Sequence, residues 1–296
     1  MGRSARPNGA EDGRLPDFVV IGAMRAGTTS LARYLGAHPN VFMPSKKELH
    51  FFDWNYGRAT DWYRTQFADA SPGDVAGEAT PIYIVYPESM RRLATDCPDA
   101  RLLVVLRDPV SRAYSHYLYN RMLGFEPLGF REAIDAEQQR PPAMTDRRTF
   151  DYVARGRYLE QLRRVSELFP REALHVLLLE DMKRDAAGTY RDVCRFLGVD
   201  DAFRPENLGE SLNSYSTYRS KALAKAARSL PAPVARVARR VNRRPAAPPP
   251  MPADVRAELE RRFAEDNASL ASWLGKDLSV WWSSDRERPA SPARAD

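Results

Sequence analysis

Cysteine is scarce in this sequence, and long apolar runs and metal-ligand clusters are missing. Cys97 and Cys194 form no Cys-x-x-Cys pair and the N-terminus does not look secretory, so we expect two reduced thiols in a cytoplasmic protein, with a disulfide as the alternative. No stretch approaches the roughly 18 apolar residues that a membrane-spanning helix needs. Histidines and carboxylates are not grouped at metal-ligand spacing, which predicts a site without a metal.

Basic residues outnumber acidic ones, and this excess favours an anionic ligand or partner. The chain has 45 Lys and Arg against 39 Asp and Glu, a formal net charge of +6. A basic protein suits an anionic ligand, but charge alone does not separate a nucleotide from a polysaccharide, a lipid or a nucleic acid. With 296 residues, 43% of them hydrophobic, the chain is long enough for one large domain. We expect that domain at residues 16–284, between disordered tails at 1–15 and 285–296.

Short apolar runs alternate with helical patterns along the chain. The runs lack the period-two alternation of a half-exposed strand, so we expect the buried strands of a parallel sheet. The predicted strands are 18–21, 75–79, 102–106 and 174–179, and the predicted helices after the first are 57–68, 87–95, 129–140, 158–169, 186–197 and 253–274. The sequence therefore predicts an α/β fold, a P-loop-like parallel sheet with helices on both faces in a single domain.

Residues 16–35 predict a strand, turn and helix of the kind that binds phosphate. A buried strand leads into a turn bounded by Gly22 and Gly27, and a helix begins within two residues of the second glycine. Glycines adopt backbone angles closed to other residues, and the free N–H groups of a helix N-terminus attract an anion. The glycine spacing matches a Walker A loop, but Thr28 stands where that motif requires Lys, and the basic residue is Arg25. A turn without a ligand is the alternative.

Residues 101–117 carry a second motif. Five apolar residues make a buried strand, and Arg107 lies at its C-terminal end. Asp108 is a plausible N-cap and Pro109 fits the first position of the helix that follows, which carries Ser115. Ligands of open α/β sheets bind outside the carboxyl ends of the strands, and Arg107 would project into that region. The alternative is that Arg107 binds no ligand and only extends from the strand end to the surface.

The two motifs, in this order, resemble those of sulfotransferases that use 3′-phosphoadenosine 5′-phosphosulfate (PAPS). The resemblance is closest to the heparan-sulfate type and to related bacterial proteins, and it extends from about Asp17 to Trp281. It implies PAPS as the co-substrate and adenosine 3′,5′-bisphosphate as the product, with the loop at the 5′-phosphosulfate and Arg107 and Ser115 at the 3′-phosphate. The nucleotide-binding residues that it implies are Arg25, Ala26, Gly27, Thr28, Thr29, Ser30, Arg107 and Ser115, with Tyr158, Arg219 and Ser220 by weaker matches.

The segment Glu48-Leu-His-Phe-Phe-Asp53 looks like the family's Glu-Val-His-Phe-Phe-Asp, in which Glu is the proposed catalytic base. The resemblance thus makes Glu48 the base, with His50 as the second choice, because a histidine in such an apolar run more often packs as an aromatic. A structural carboxylate that holds the loop is the alternative for Glu48. Two residues depart from the family: Arg25 replaces the usual loop Lys, and Ala79 replaces a Lys that approaches the sulfonate in some relatives. The planar guanidinium of Arg25 can neutralise charge but does not mimic an ammonium.

The predicted chemistry is an in-line displacement that moves a sulfonate to an acceptor hydroxyl. Catalysis of this kind depends on positioning and on stabilising the departing oxygen, so cations and helix N–H groups can serve without Mg²⁺. A carbohydrate, a glycolipid or a small alcohol or phenol could supply the hydroxyl. The alternatives are a P-loop kinase or NTPase, which needs the missing Lys, and a non-catalytic protein that binds a polyanion.

Residues 219–244 contain nine Lys or Arg and no acid. Pro231 and Pro233 should split them into two short helices within a Pro-rich insertion at 219–252. No aromatic residues are interleaved for base stacking, so we do not expect a nucleic-acid partner. The segment predicts contact with an anionic membrane or with an anionic acceptor, and an ordinary solvated face beside the nucleotide site is the alternative.

Overall fold

Five parallel strands form the centre of the protein. The computed structural model describes residues 13–140, 150–210, 215–226 and 232–282. The strands of this sheet are β1 (Phe18–Gly22), β2 (Val41–Phe42), β3 (Val75–Ala79), β4 (Arg101–Leu106) and β5 (Leu174–Leu178). Their order across the sheet is β2-β3-β1-β4-β5, and every pair of neighbours is parallel. The predicted α/β fold with a parallel sheet is therefore confirmed.

Helices cover both faces of the sheet, as the sequence predicts. The described helices are α1 (Thr28–Leu35), α2 (Ala59–Thr65), α3 (Pro87–Asp96), α4 (Pro109–Leu123), α5 (Phe130–Asp135), α6 (Tyr158–Ser166), α7 (Leu179–Arg184), α8 (Ala186–Leu197), α9 (Lys221–Ala226), α10 (Ala232–Asn242) and α11 (Ala253–Leu274). β1 is buried along its whole length and β4 along all but its first residue. Burial on both faces explains why these strands are apolar throughout rather than alternating.

Four predicted elements have clearly different bounds in the structure, one of which is the predicted helix at 158–169, because α6 ends at Ser166. The predicted helix at 57–68 is a 3₁₀ turn followed by the shorter α2, because Ala59 has a φ of 63° and interrupts the helical path between them. The predicted helix at 129–140 ends after α5, with a separate 3₁₀ turn at Glu137–Gln139. Leu179 begins α7 instead of ending β5. The boundary lies inside the run of leucines at 177–179, so the sequence pattern does not mark it.

The C-terminal part returns the chain to the sheet. α10 leads into β7 (Arg243–Pro245), which pairs antiparallel with β6 (Ser216–Tyr218), and the sequence does not predict this pair. α11 has the predicted bounds and packs against α4 and α6, where Leu259 and Phe263 enter a second apolar core. Beyond it, the buried Trp281 donates a hydrogen bond from Nε1 to Glu180 Oε2 at 3.0 Å.

The predicted tails fall mostly outside the described residues. Of the predicted tail at 1–15, only residues 13–15 are described, and Arg14 donates a hydrogen bond from Nη1 to the carbonyl of Asp74. Cys97 and Cys194 are buried and are not joined to each other. Within the described ranges, each helix is too short or too polar to span a lipid bilayer.

Candidate active site

The main cleft of the protein lies at the carboxyl ends of β1 and β4. These strands are neighbours in the sheet, so the loop after β1 and the turn after β4 emerge side by side. The cleft has a volume of about 760 Å³, and residues from both motifs line it, together with Glu48. Its position agrees with the general rule for ligand sites in open α/β sheets. The structure thus brings together three segments that are far apart in the sequence.

The loop after β1 has a backbone that only a glycine allows at its end. Gly27 has a φ of 97°, and a Cβ atom at this position would lie 2.7 Å from the Cδ1 atom of Leu179. The loop is fixed to the sheet by the Ala23 N–H, which donates to the Val105 carbonyl at 2.9 Å. α1 then begins at Thr28, so its first-turn N–H groups face the cleft in the arrangement that favours anions.

The turn after β4 places a second set of polar groups beside this loop. The Asp108 side chain accepts hydrogen bonds from the N–H groups of Val110 and Ser111 at 3.1 and 3.0 Å, which confirms the predicted N-cap of α4. Arg107 reaches across the cleft and donates from Nη1 to the Arg25 carbonyl at 3.1 Å. The end of β4 and the loop after β1 are thereby joined directly.

The Arg25 side chain points towards α4. Its Nε donates to Ser115 Oγ at 3.1 Å, and its guanidinium lies 4.9 Å from the centre of the Tyr119 ring. Burial lowers the pKa of Arg25, and the nearby Arg107 lowers it further. Burial also lowers the pKa of Arg107. Two desolvated cations thus lie in the lining of the cleft, and an anionic ligand would offset their desolvation and mutual repulsion.

Glu48, His50 and Asp53 form a cluster that reaches the cleft through Glu48. His50 Nδ1 lies 2.8 Å from Asp53 Oδ2, His50 Nε2 lies 3.6 Å from Glu48 Oε2, and the imidazole stacks on Trp54 at 3.6 Å between ring centres. Burial disfavours the charged imidazole, but the contacts with Asp53 and Glu48 outweigh it and raise the pKa of His50. The ring lies behind Glu48, which lines the cleft itself.

The Glu48 carboxylate is ionised at neutral pH. Burial acts to raise its pKa, but the contact with His50 and the Lys47 ammonium, whose Nζ lies 2.9 Å from Oε1, lower the pKa to about 2. Glu48 can therefore accept a proton from a ligand in the cleft. Such a low pKa makes it a weak base in this arrangement, so its basicity depends on what Lys47 contacts.

A buried carboxyl supports this cluster from below. Glu78 lies inside the protein and accepts hydrogen bonds from the hydroxyls of Tyr63, Tyr83 and Thr80 at 3.1, 3.0 and 2.6 Å. Burial raises the pKa of Glu78 despite these donors. Tyr83 Oη in turn accepts from the Phe51 N–H at 2.8 Å, so the network holds the backbone that carries the cluster.

Several predicted residues do not line the cleft. Tyr158 is buried, and its hydroxyl donates to the Arg107 carbonyl at 2.9 Å, behind the cleft wall. The Arg219 side chain is exposed, and its N–H donates to the Asn242 carbonyl. Ser220 joins the same asparagine through its N–H, which donates to Asn242 Oδ1 at 2.9 Å. These three residues support elements around the cleft rather than its surface.

The cleft also contains side chains whose role no sequence motif indicates. The unassigned polar and aromatic residues of the lining include Lys47, Tyr119, Lys183, Tyr215, Arg243 and Arg256. Lys47 could have been suspected from its place beside Glu48. Arg243 and Arg256 belong to β7 and α11, where an exposed basic residue carries no local signal. Within the described ranges, no three His, Cys, Asp or Glu side chains are grouped to hold a metal ion.

This fold and this loop define a P-loop-like α/β protein. A family model described as "Sulfotransferase domain" matches residues 15–231, and the chain therefore belongs to the sulfotransferase family. The expected family is confirmed.

Curated relatives match over part of their length. The chain is 33% identical over 197 residues to heparan sulfate glucosamine 3-O-sulfotransferase 3B1 of Mus musculus, which covers 65% of this chain and 48% of that protein. It is 32% identical over 191 residues to heparan sulfate glucosamine 3-O-sulfotransferase 6 of Homo sapiens, a match that covers 63% of this chain and 53% of that protein. It is 41% identical over 109 residues to "Membrane-associated sulfotransferase kil1" of Dictyostelium discoideum, a match that covers 36% of this chain and 23% of that protein. The chain thus spans about half or less of these relatives.

A solved structure matches nearly the whole protein. The sulfotransferase from Alicyclobacillus acidocaldarius superposes with a TM-score of 0.69 at 31% identity, over 90% of this chain and 99% of that one. This match includes the C-terminal elements beyond the family model. The single-domain α/β fold is shared with a bacterial sulfotransferase.

We predict that Tyr83→Phe lowers both stability and enzymatic turnover. The change leaves the buried Phe51 N–H without its partner, which should cost about 1–3 kcal/mol of the free energy of unfolding and loosen the Glu48 segment. Chemical denaturation and turnover measurements test this prediction. Tyr63→Phe is the control. Tyr63 donates to the same Glu78 oxygen as Tyr83 does, but unlike Tyr83 it does not accept a hydrogen bond from the Phe51 N–H. Equal losses of turnover in both variants would contradict the supporting role of Tyr83.

Proposed function

We propose that this protein transfers the sulfonate of PAPS to an acceptor hydroxyl, with Glu48 as the general base. One observation carries the proposal: a single cleft contains the loop after β1, the Arg107–Arg25–Ser115 group and the Glu48 carboxylate. An anion site for each end of the donor and a base in the same cleft are the parts that this transfer needs. Membership of the sulfotransferase family supports the same reaction.

The donor would bind along the cleft floor. The first turn of α1, with Thr28, Thr29 and Ser30, would hold the 5′-phosphosulfate, because helix N–H groups complement its charge. Arg107 and Ser115 would hold the 3′-phosphate through charge-assisted hydrogen bonds. Arg25 contacts Ser115, which supports a role at the same phosphate and leaves the sulfonate end to other groups.

In the transfer step, the acceptor oxygen attacks sulfur while the bond from sulfur to the 5′-phosphate oxygen breaks. The acceptor proton passes to Glu48, and adenosine 3′,5′-bisphosphate leaves with the electron pair of the broken bond. His50 would act as a positioning residue, because its ring nitrogens face Asp53 and Glu48 and its raised pKa favours the imidazolium that holds Glu48 in place. The attack and the departure lie in line, so positioning supplies most of the catalysis.

The acceptor is a hydroxyl on a carbohydrate, a glycolipid or a small alcohol or phenol. The names of two relatives include heparan sulfate glucosamine, which makes a carbohydrate one acceptor class to test. Ala79 stands where some relatives carry a Lys near the sulfonate, and it is buried here, so we propose a differently built acceptor side. A screen of acceptors with labelled PAPS tests these classes. The cytoplasmic location stays a prediction.

We predict that Arg107→Ala weakens binding of adenosine 3′,5′-bisphosphate by about 2 kcal/mol or more, because a charge-assisted contact to phosphate is lost. Ser115→Ala should weaken it less. Titration calorimetry measures both, with ATP and GTP as comparison ligands for the kinase alternative. Unchanged affinity in Arg107→Ala would remove the 3′-phosphate assignment, and selective binding of ATP would favour the alternative.

We predict that Glu48→Gln lowers turnover roughly 10²-fold or more, the usual scale of a lost general base. Affinity for the bisphosphate should stay nearly unchanged, because the Arg107 and Ser115 contacts do not involve Glu48. Steady-state assays in excess EDTA measure the turnover and also exclude rescue by a bound Mg²⁺. A variant that turns over at nearly the wild-type rate would show that another group takes the proton.

A further inference from the structure

The cation at the sulfonate end of the cleft is not the one that the sequence suggests. Arg25 occupies the place of the family's loop Lys in the sequence, yet two contacts hold its side chain against α4 and a third holds its backbone. Its Nε donates to Ser115, its guanidinium lies over the Tyr119 ring, and its carbonyl accepts from Arg107. Ala79 carries no charge. Both positions at which relatives place a Lys thus lack a cation directed to the first turn of α1.

Lys47 extends into this region from the segment after β2. Its Nζ lies 2.5 Å from Thr29 Oγ1, in the first turn of α1, and 2.9 Å from Glu48 Oε1. The ammonium thus lies between the place where the loop would hold an anion and the carboxylate that would take the acceptor proton. Its side chain is partly exposed to the cleft, so a ligand can reach it.

We propose that Lys47 is a catalytic residue whose ammonium neutralises the sulfonate during transfer, in place of the missing loop Lys; this inference rests on the proposed function. Lys47 keeps its protons throughout the step. It stabilises the negative charge on the sulfonate and on the oxygen that leaves with the 5′-phosphate, while the acceptor proton goes to Glu48. An ammonium is a compact point charge with three donors, which suits a group that changes position better than a planar guanidinium does.

The two contacts of Lys47 also couple charge neutralisation to the base. In the structure the ammonium pairs with Glu48 and helps to keep the pKa of that carboxyl low. A sulfonate bound at the first turn of α1 would compete for the same ammonium. Glu48 would lose part of its pairing and become a stronger base when the donor is in place. One side chain therefore both holds the resting site and prepares it for transfer.

The test compares Lys47→Ala with Lys46→Ala. Lys46 is the matched control, because it is the adjacent lysine but lies over the Trp62 ring, 5.7 Å from its centre, and does not line the cleft. In Lys47→Ala we expect turnover to fall about 10²-fold, the scale of one lost donor to a developing charge. Affinity for adenosine 3′,5′-bisphosphate, which has no sulfonate, should change little. Lys47→Arg should recover part of the rate, and Lys46→Ala should keep it.

The double variant Lys47→Ala with Glu48→Gln distinguishes direct catalysis by Lys47 from an effect of Lys47 on Glu48. If Lys47 acts on the sulfonate, Lys47→Ala should slow the Glu48→Gln enzyme further, by at least about tenfold. The acid limb of the pH–rate profile of Lys47→Ala should also move to higher pH, because Lys47 lowers the pKa of Glu48.

Two outcomes would overturn the role of Lys47. One is a Lys47→Ala enzyme with nearly the wild-type turnover, and the other is a loss that disappears in the Glu48→Gln background, which would make Lys47 a positioning residue. A wild-type protein that neither binds the bisphosphate nor transfers sulfonate would instead overturn the proposed function itself.

A separate observation concerns the basic segment at 219–244. Val234, Val237 and Val241 lie on one face of α10, three and four residues apart, and are 51%, 63% and 64% exposed. We call these three residues the valine row. The other side of the helix is attached to the protein, because Ala235 and Asn242 are buried and Asn242 Nδ2 donates to the Ser220 carbonyl at 2.8 Å. The apolar row thus faces solvent.

We propose that the valine row lies against an anionic lipid bilayer. A helix that served only as a solvated face would present polar residues outwards, whereas this one presents valines within a segment of nine Lys or Arg and no acid. A peripheral membrane helix has two requirements. It needs apolar residues that enter the lipid interface, and it needs cations that attract the anionic headgroups.

Co-sedimentation with lipid vesicles tests this surface. We expect the full chain to bind phosphatidylserine vesicles but not phosphatidylcholine vesicles, and to release them as salt rises from about 0.1 M to about 1 M. The double change Val237→Ser and Val241→Ser should weaken binding about tenfold or more. Replacing Arg236, Arg239 and Arg240 by Gln should weaken it about 100-fold. Val280→Ser, which alters an exposed valine elsewhere on the protein (52% exposed), is the control.

Three outcomes would overturn the membrane surface. These are no binding to anionic vesicles, equal binding to neutral ones, or full binding by the double valine variant. Sulfonate transfer to a soluble acceptor should be unaffected by the valine changes, so this test is independent of the catalytic one.

Discussion

A buried carboxyl fixes the geometry on which the cleft depends. Glu78 lies in β3 beneath the segment that carries Glu48, and three hydroxyls donate to it. A carboxyl in such a position is costly unless it is fully hydrogen-bonded, so its partners cannot move independently. Tyr83 and Thr80 pass this constraint to the backbone of Phe51 and His50. The Glu48 carboxylate is therefore held by the sheet, although it lies on an irregular segment.

The same segment combines opposite charges at short range. Glu48 lies between Lys47 and His50, and its low pKa shows that these neighbours outweigh the effect of burial. A carboxylate stabilised in this way is a poor base until a neighbour is drawn away. The charge that could draw Lys47 away is that of the donor itself, since the ammonium already touches the first turn of α1. In the proposed mechanism, proton acceptance by Glu48 is linked to donor binding by electrostatics, without a moving domain.

The sequence predicts those parts of the site that depend on local chemistry. Gly27 and the N-cap Asp108 are set by backbone angles and by neighbours within three residues, and both lie as expected. The direction of the Arg25 side chain depends on Ser115 and Tyr119, which are about ninety residues away, and no local pattern encodes it. The burial of Tyr158 behind Arg107 has the same origin. The strands are predictable because burial on both faces demands unbroken apolar runs.

Backbone strain gives an independent view of the same residues. Four non-glycine residues in the described ranges have a positive φ, and three of them are Arg25, Glu48 and His50, with φ of 69°, 59° and 53°. Each such conformation costs of the order of 1–3 kcal/mol and persists only where surrounding contacts determine it. For Glu48 and His50 those contacts are the Glu78 network below and the Asp53 and Lys47 contacts around them. A segment that served only to hold the fold together would gain stability by relaxing these angles. Arg25 and Glu48 line the cleft and His50 contacts Glu48 from behind it, so the strain is better explained by the demand for a fixed carboxylate and a fixed cation than by packing.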